Sequence, residues 1–277
     1  MIDIIETLLP TLRLAGKYAV HIQNRIQAQP SKEADNFYSS ALTDADLTIQ
    51  TAIELTLLAK FPHLPFFGEE HDRSYNTKYF TGIELTEDYL ITFDPIDGTR
   101  AYLDGLPCWS IVLSVIKNKR YEAVLVLQPR RNHYIYAQRG QGVFKGKIDD
   151  DLSLAQPLKL GQLNSNLVYV SYGLTELKSK LEPKFTSWCS AINYNPPKNI
   201  PDFLDLINGN LAGFIIERGN LIDSACFAFI LKELDVIATH FDGTDFEPFR
   251  NVNHMKIDGL IIGFNEEIHR QIKILLS

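Results

Sequence analysis

Along the first 28 residues, apolar side chains recur at a helical period. Ile5, Leu8, Leu9, Leu12, Ala15, Val20 and Ile22 would share one face, with Pro10 expected to end or kink the opening turns. Ser31 to Leu42 is polar and reads as a loop. A second helix is expected after Thr43, whose hydroxyl suits an N-cap, with Asp44 and Asp46 near its positive end. It would run through Ile49, Ala52, Ile53, Leu57 and Leu58 until Phe61-Pro62 stops it.

From Tyr89 the pattern turns to strands. Tyr89-Leu90-Ile91-Thr92-Phe93 leads directly into Asp94. Ser110–Lys117 and Tyr121–Gln128 form a predicted hairpin around Asn118-Lys119, followed by short strands near Tyr134–Ala137 and Gly142–Phe144. The polar stretch 146–162 is the candidate boundary between two halves, residues 1–150 and 151–277. Its Asp149-Asp150-Asp151 run reads as a solvated loop, because three adjacent side chains in a loop need not converge on an ion. Further strands are expected at Leu167–Val170 and Gly213–Ile216, with helices near 174–181, 201–208 and 223–233 and a mixed C-terminal end. There is no repeat and no long linker, so two intimate halves of α+β and α/β character fit best.

Composition narrows the function. With 277 residues, a net charge of -7 and a pI near 5.5, the chain is unsuited to gripping a nucleic-acid polymer through a broad basic face. Metal ions and small anionic ligands remain open. The N-terminus lacks the features of a secretory signal, and no stretch approaches the ~18 apolar residues of a membrane span, so no membrane partner is expected. Cys108, Cys189 and Cys226 are far apart and odd in number, which fits a reducing, cytoplasmic interior. Cys226 lies close to Asp223, but no His is near either in sequence, and a small buried hydrophobe is the better reading.

The densest chemistry is Phe93-Asp94-Pro95-Ile96-Asp97-Gly98-Thr99-Arg100. A hydrophobic strand delivers two carboxylates into a tight turn. Pro95 fixes one φ, Gly98 permits a left-handed backbone, and Thr99 is placed to cap a short helix whose amides would favour a phosphate. Such a turn suits hard cations, with its carbonyls as added oxygen ligands. A purely structural Asp/Gly turn explains the run equally well when it is taken alone. Upstream, Phe66-Phe67-Gly68 precedes Glu69-Glu70, and a turn would be needed for both acids to serve one site, because strand neighbours point oppositely. Downstream, Asp223 begins an apolar helical segment, where an acid is an ordinary N-cap and can also hold a cation.

Together these segments resemble the inositol monophosphatase family of metal-dependent phosphomonoesterases, a group that includes fructose-1,6-bisphosphatases and 3'(2'),5'-bisphosphate nucleotidases. The D-P-I-D-G-T run matches the family signature, and G-E-E lies upstream at a suitable distance. The third motif, usually W-D-x-A-A-G, is here Ile222-Asp223-Ser224-Ala225-Cys226-Phe227, keeping the Asp and first Ala while losing Trp and Gly. The resemblance implies a five-layered αβαβα sandwich, a homodimer and lithium sensitivity. It makes Glu69, Asp94, Asp97 and Asp223 side-chain ligands of two or three Mg²⁺ ions, with the Ile96 carbonyl as a further ligand. Asp46, in the T-D-A-D run, would pair with Thr99, and Glu70 would support Glu69. Asp97, Gly98, Thr99, Glu217 and Asp223 would face the substrate, although Glu217 sits one residue out of the usual spacing. Lys32 is likewise at an unusual distance from Asp46. On this scheme Thr99 and Glu69 place a metal-activated water for in-line attack, and the Gly98 and Thr99 amides hold phosphate oxygens.

The implied substrate is a small phosphate monoester, inositol monophosphate or a similar polyol or sugar phosphate. A bisphosphate nucleotide and histidinol phosphate are alternatives, since Arg100-Ala101-Tyr102 resembles variants found in histidinol-phosphate phosphatases. Arg100 reads slightly better as a surface charge near a helix start. A phosphatase with an aspartyl nucleophile needs D-x-D-G-T, and the spacing of Asp94 and Asp97 is one residue too long. A metal- or phosphate-binding regulatory protein without turnover is the rival from outside enzymology, motivated by the altered motif around Asp223.

Overall fold

Helix α1 (Ile2–Ile22) lays Ile5, Leu8, Leu12, Ala15 and Ala19 into a core, as the period of its apolar residues dictates. This is a computed structural model, and it describes residues 2–26, 43–70, 89–196, 198, 200–250 and 255–276. The expected loop Ser31 to Leu42, with Lys32, lies outside the described residues. Of the two outcomes expected at Pro10, an end to the helix does not occur: α1 runs through it and stops at Ile22. Pro10 and Glu6 both lie on the exposed side, where water can take up the Glu6 carbonyl that the missing N–H leaves.

Helix α2 (Asp44–Lys60) begins at the expected cap. Thr43 Oγ1 accepts from the amides of Ala45 and Asp46, while Asp46 Oδ2 accepts from the Thr43 amide at 2.9 Å. This reciprocal capping box satisfies donors at the start of the helix and contributes about 1 kcal/mol. Phe61 closes the other end.

The strands β1 (Phe66–Gly68) and β2 (Tyr89–Asp97) pair in parallel, and a short helix α3 (Thr99–Leu103) follows. Strands β3 (Ser110–Lys117), β4 (Arg120–Gln128), β5 (His133–Gln138), β6 (Gly142–Lys147) and β7 (Gln156–Pro157) continue the sheet in sequence order, seven strands among the described residues. Asn118 (φ 50) and Lys119 (φ 59) make the two-residue turn between β3 and β4, with both φ values positive as a hairpin matched to strand twist requires. Ile91, Phe93, Ile111, Leu113, Val115 and Leu125 join α1 and α2 in one core. The acid run after β6 is spent on α1: Lys17 pairs with Asp149 at 2.8 Å, and Arg13 reaches the carbonyl of Ile148 and the carboxylate of Asp151.

By its contacts the chain divides into two units, Met1–Arg139 with Phe144–Pro157, and Gly140–Val143 with Leu158–Ser277. In the second, β8 (Leu167–Val170), β9 (Thr186–Cys189), β10 (Gly213–Asn220), β11 (Ile237–His240) and β12 (Lys256–Gly263) form a sheet ordered β11-β12-β10-β8-β9. Its helices are α4 (Leu177–Leu181), α5 (Ser190–Asn193), α6 (Phe203–Ile207), α7 (Ser224–Lys232) and α8 (Glu266–Leu276). Val168, Val170, Ile215 and Ile261 pack with Leu181 of α4 and Ile272 of α8. Phe241 to Thr244 is a turn, as its Asp-Gly suggests: Gly243 has φ 88 and Asp242 accepts from the Thr244 amide at 2.8 Å. Both units are thus mixed α/β, each a sheet with helices. Among the described residues no helix is long and apolar enough to cross a membrane.

Candidate active site

Alternation along a strand would send Asp94 and Asp97 to opposite faces. The register prevents it. Asp94 stands opposite Val112 and Asp97 opposite Ser110, so three steps along β2 match two along β3. The extra residue is a β-bulge. Residues paired across strands share a face, and Val112 and Ser110 are two apart, so both aspartates point to the same side of the sheet. Pro95 sits inside the bulge, where the ladder is interrupted and its missing N–H costs nothing. Asp94 is 2% exposed, and Asp97 is half-buried. One step beyond the Gly68–Phe93 pair, the Glu69 amide donates to Phe93 O at 3.0 Å, which sets Glu69 at the register position beside Asp94.

After Asp97 the chain turns through Gly98. Its φ is +86, and a Cβ there would stand 3.2 Å from Cys108 O, so both conformation and close packing favour glycine. Gly98, not Thr99 as expected, is the N-cap of α3, and Thr99 is its first helical residue. The Thr99 hydroxyl is turned back instead: Oγ1 donates to Ile96 O at 2.9 Å and lies 3.4 Å from Asp46 Oδ1. A hydroxyl has one proton, so the shorter bond takes it and the Asp46 contact is the weaker. Asp46 therefore divides its oxygens, Oδ2 to Thr43 and Oδ1 toward Thr99. The end of α1 clamps α3 from below, with Gln23 Nε2 donating to the carbonyls of Tyr102 and Leu106, and Tyr102 Oη to Ala19 O at 2.8 Å. Burial, and then the Asp46 carboxylate, push the Tyr102 phenol well above its ordinary pKa.

Beyond Gly68 the chain leaves the strand and bends at Glu69 and Glu70. The Glu70 amide donates to Gln50 Oε1 at 3.0 Å, and Gln50 Nε2 donates to Glu54 Oε1 at 3.1 Å. Neither Gln50 nor Glu54 stood out in the sequence. The available signal was a second row in α2, Asp46-Gln50-Glu54 at four-residue steps, polar beside an apolar face.

Asp223 and Glu217 belong to the second unit. Asp223 is the N-cap of α7; its Oδ1 accepts from the Ser224 amide, from Ser224 Oγ at 2.6 Å and from the Asn220 amide at 3.2 Å, and its Oδ2 accepts from Asn220 Nδ2 at 3.1 Å. The Glu217 amide in β10 donates to Ser171 Oγ at 3.0 Å, and its carboxylate lies against Gly173, where a Cβ would overlap Oε2. Arg100 forms a two-pronged pair with Asp104 across α3, both contacts 2.9 Å. Cys226 is buried and points its thiol at Leu221 O, as a packed side chain rather than a nucleophile.

Carboxylates and a backbone carbonyl are hard oxygen donors, the kind Mg²⁺ prefers. The chemistry of Glu69, Asp94, Asp97 and the Ile96 carbonyl thus fits that ion. Among the described residues, however, no group of three or more His, Cys, Asp or Glu side chains is gathered as a metal cage. The fold brings two aspartates to one face and sets Glu69, just past the end of β1, at the register position beside Asp94.

Comparison with known proteins agrees with this architecture. The sequence profile of the inositol monophosphatase family matches residues 10–272. A fructose-1,6-bisphosphatase/inositol-1-monophosphatase of Thermotoga maritima is 25% identical over 228 residues, covering 81% of this chain and 80% of that protein. A histidinol-phosphatase of Chlorobaculum parvum is 27% identical over 130 residues, 47% of this chain and 46% of that protein. The solved structure of a Thermotoga maritima IMPase superposes with a TM-score of 0.71 at 20% identity, over 99% of this chain and 98% of that one, so the fold is shared.

Proposed function

The chain belongs to the inositol monophosphatase family, and we propose that it is a Mg²⁺-dependent phosphomonoesterase acting on inositol monophosphate or a similar small polyol or sugar phosphate. The observation that carries this reading is the bulge in β2, which turns Asp94 and Asp97 to one face at the end of the strand beside Glu69. On this reading Glu69, Asp94, Asp97 and the Ile96 carbonyl would hold the metal, and family membership supports Asp223 as a further ligand. Bound Mg²⁺ supplies charge neutralisation for the phosphate dianion and a more acidic water.

The chain's own groups do the rest. Thr99 Oγ1 has two acceptors within reach, Ile96 O and Asp46 Oδ1. When its proton is directed to Asp46, its lone pairs are presented to a water, which it orients for attack together with Glu69. Asp46 is held for that task by Thr43 through the helix cap. Glu70 supports Glu69 from the bend. The amides of Gly98 and Thr99 would hold phosphate oxygens, and Glu217 and Asp223 would contact the leaving alcohol.

Phosphate release from inositol-1-phosphate, fructose-1,6-bisphosphate, adenosine 3',5'-bisphosphate and histidinol phosphate, each with Mg²⁺, tests the substrate. The highest kcat/KM is expected on inositol-1-phosphate. Turnover of the nucleotide or of histidinol phosphate alone would refute the substrate and leave the metal-dependent chemistry standing. Metal binding with no turnover of any monoester would refute both in favour of a regulatory protein.

A further inference from the structure

Helix α2 carries a polar row of which the scheme above uses only the first member. Asp46, Gln50 and Glu54 are 0%, 2% and 4% exposed and stand one above another on a single face. A buried carboxylate and a buried amide are costly unless each is hydrogen-bonded, and these two satisfy one another: Gln50 Nε2 donates to Glu54 Oε1 at 3.1 Å. A carboxylate only accepts, so Glu54 decides which way the Gln50 amide faces. Its oxygen is thereby turned to the main chain, where it takes the Glu70 N–H at 3.0 Å.

The effect falls on Glu69. Its own N–H is bound to Phe93 O of β2, and the next N–H to Gln50 of α2. The first amide lies in the peptide plane before the Glu69 Cα and the second in the plane after it, so tying the two to different elements fixes the backbone angles of Glu69 and with them the direction in which its side chain leaves the backbone. Gly68 belongs to the same arrangement: a Cβ there would come within 2.3 Å of Gln50 Cδ, so the missing side chain is the space the amide fills.

We propose that Gln50, oriented by Glu54, is a positioning residue that aims the Glu69 carboxylate at the metal. This rests on the reading of Glu69 as a metal ligand. Residues of this kind, behind a ligand, typically change metal affinity about 10–100-fold when removed.

The test is calorimetric titration of Mn²⁺ into the full chain, alongside the Mg²⁺ dependence of phosphate release and a melting curve for each variant. Gln50→Leu/Glu54→Leu removes both polar groups together. Gln50→Glu/Glu54→Gln exchanges them, keeping the net charge, the acceptor for the Glu70 N–H and the bond between the two side chains. Glu69→Gln is the control. The Leu pair is expected to bind Mn²⁺ at least about tenfold more weakly, and the exchanged pair to recover most of the loss. If the Leu pair does not fold, Gln50→Glu alone is compared with the exchanged pair, and only the latter should bind well. Mn²⁺ affinity within twofold of wild type in a folded Leu pair, with Glu69→Gln impaired, overturns the role of Gln50 and leaves Glu69 a ligand. An exchanged pair no better than Gln50→Glu overturns it too. Unchanged affinity in Glu69→Gln overturns the reading of Glu69 itself, and this inference with it.

Discussion

Asp94 and Asp97 face the same side of one sheet although they are three residues apart in a strand, because β2 spends three residues where β3 spends two. Pro95 lies in the extra step, and Gly98 makes the turn that leads into α3 at Thr99. The register of two strands, more than the acids themselves, brings the two carboxylates of a D-x-x-D spacing to one face.

Gly98 is the least replaceable backbone position in this turn. Its φ of +86 is costly for any residue with a Cβ, and Cys108 O stands 3.2 Å from where that atom would go. Gly98→Ala is expected to cost about 1–2 kcal/mol, seen as a lower urea midpoint. Gly98→Asn should cost less, because Asn tolerates the left-handed region. Equal stability of wild type and Gly98→Ala would show that the turn relaxes without strain.

The Thr99 hydroxyl, with Ile96 O at 2.9 Å and Asp46 Oδ1 at 3.4 Å, is expected to matter to turnover more than to binding. Thr99→Val should lower kcat by about 10²-fold or more with KM little changed, and Thr99→Ser should keep most of the rate. A Thr99→Val enzyme with normal kcat would remove the hydroxyl from the mechanism.

Thr43 tests the support behind Asp46. Thr43→Ala breaks the capping box and should cost about 1 kcal/mol in a denaturant titration. Because Asp46 Oδ2 loses the Thr43 hydroxyl as a donor and keeps the amide of residue 43, a smaller loss of kcat than in Thr99→Val should accompany it. Loss of stability with unaltered kcat would confine Thr43 to the helix.

Away from the site, His133 gives a pH signature. Burial, and then the charge of Lys145, bring its imidazole down from 6.5 to about 4. The unfolded chain takes up that proton near 6.5 and the folded chain only near 4. His133 therefore leaves stability whole above 6.5 and lowers it as the pH falls from 6.5 toward 4. The difference in urea midpoint between pH 7 and pH 4.5 should be smaller in His133→Gln than in wild type. Parallel pH profiles for the two would contradict this.

What was legible in the sequence was local. Thr43 before Asp44 and Asp46 announces the cap of α2, and Asn118-Lys119 between two apolar runs announces the hairpin; both need only a few neighbouring residues. The bulge was hidden, because the partner of Asp97 is Ser110, and strand register is a property of the sheet. Thr99 looked like a cap from its position, but Gly98 takes the left-handed cap conformation and frees the hydroxyl for Ile96 O. Pro10 on its own allows either an end or a kink, and α1 continues because its exposed side there tolerates the lost hydrogen bond. Gln50 and Glu54 are each ordinary alone in a helix, and their meaning comes from the Glu70 amide twenty residues downstream of Gln50.

The proposed phosphate release requires both a metal ion and the Asp94–Asp97 face. The direct measurement is release of inorganic phosphate from inositol-1-phosphate by the full chain in excess Mg²⁺, after EDTA, after restored Mg²⁺, and by Asp97→Asn in excess Mg²⁺. The expected result is turnover with Mg²⁺, none with EDTA, recovery on restoring the ion, and a loss of about 10³-fold or more in a folded Asp97→Asn. Phosphate release that survives EDTA, or an Asp97→Asn enzyme as active as wild type, would contradict the account.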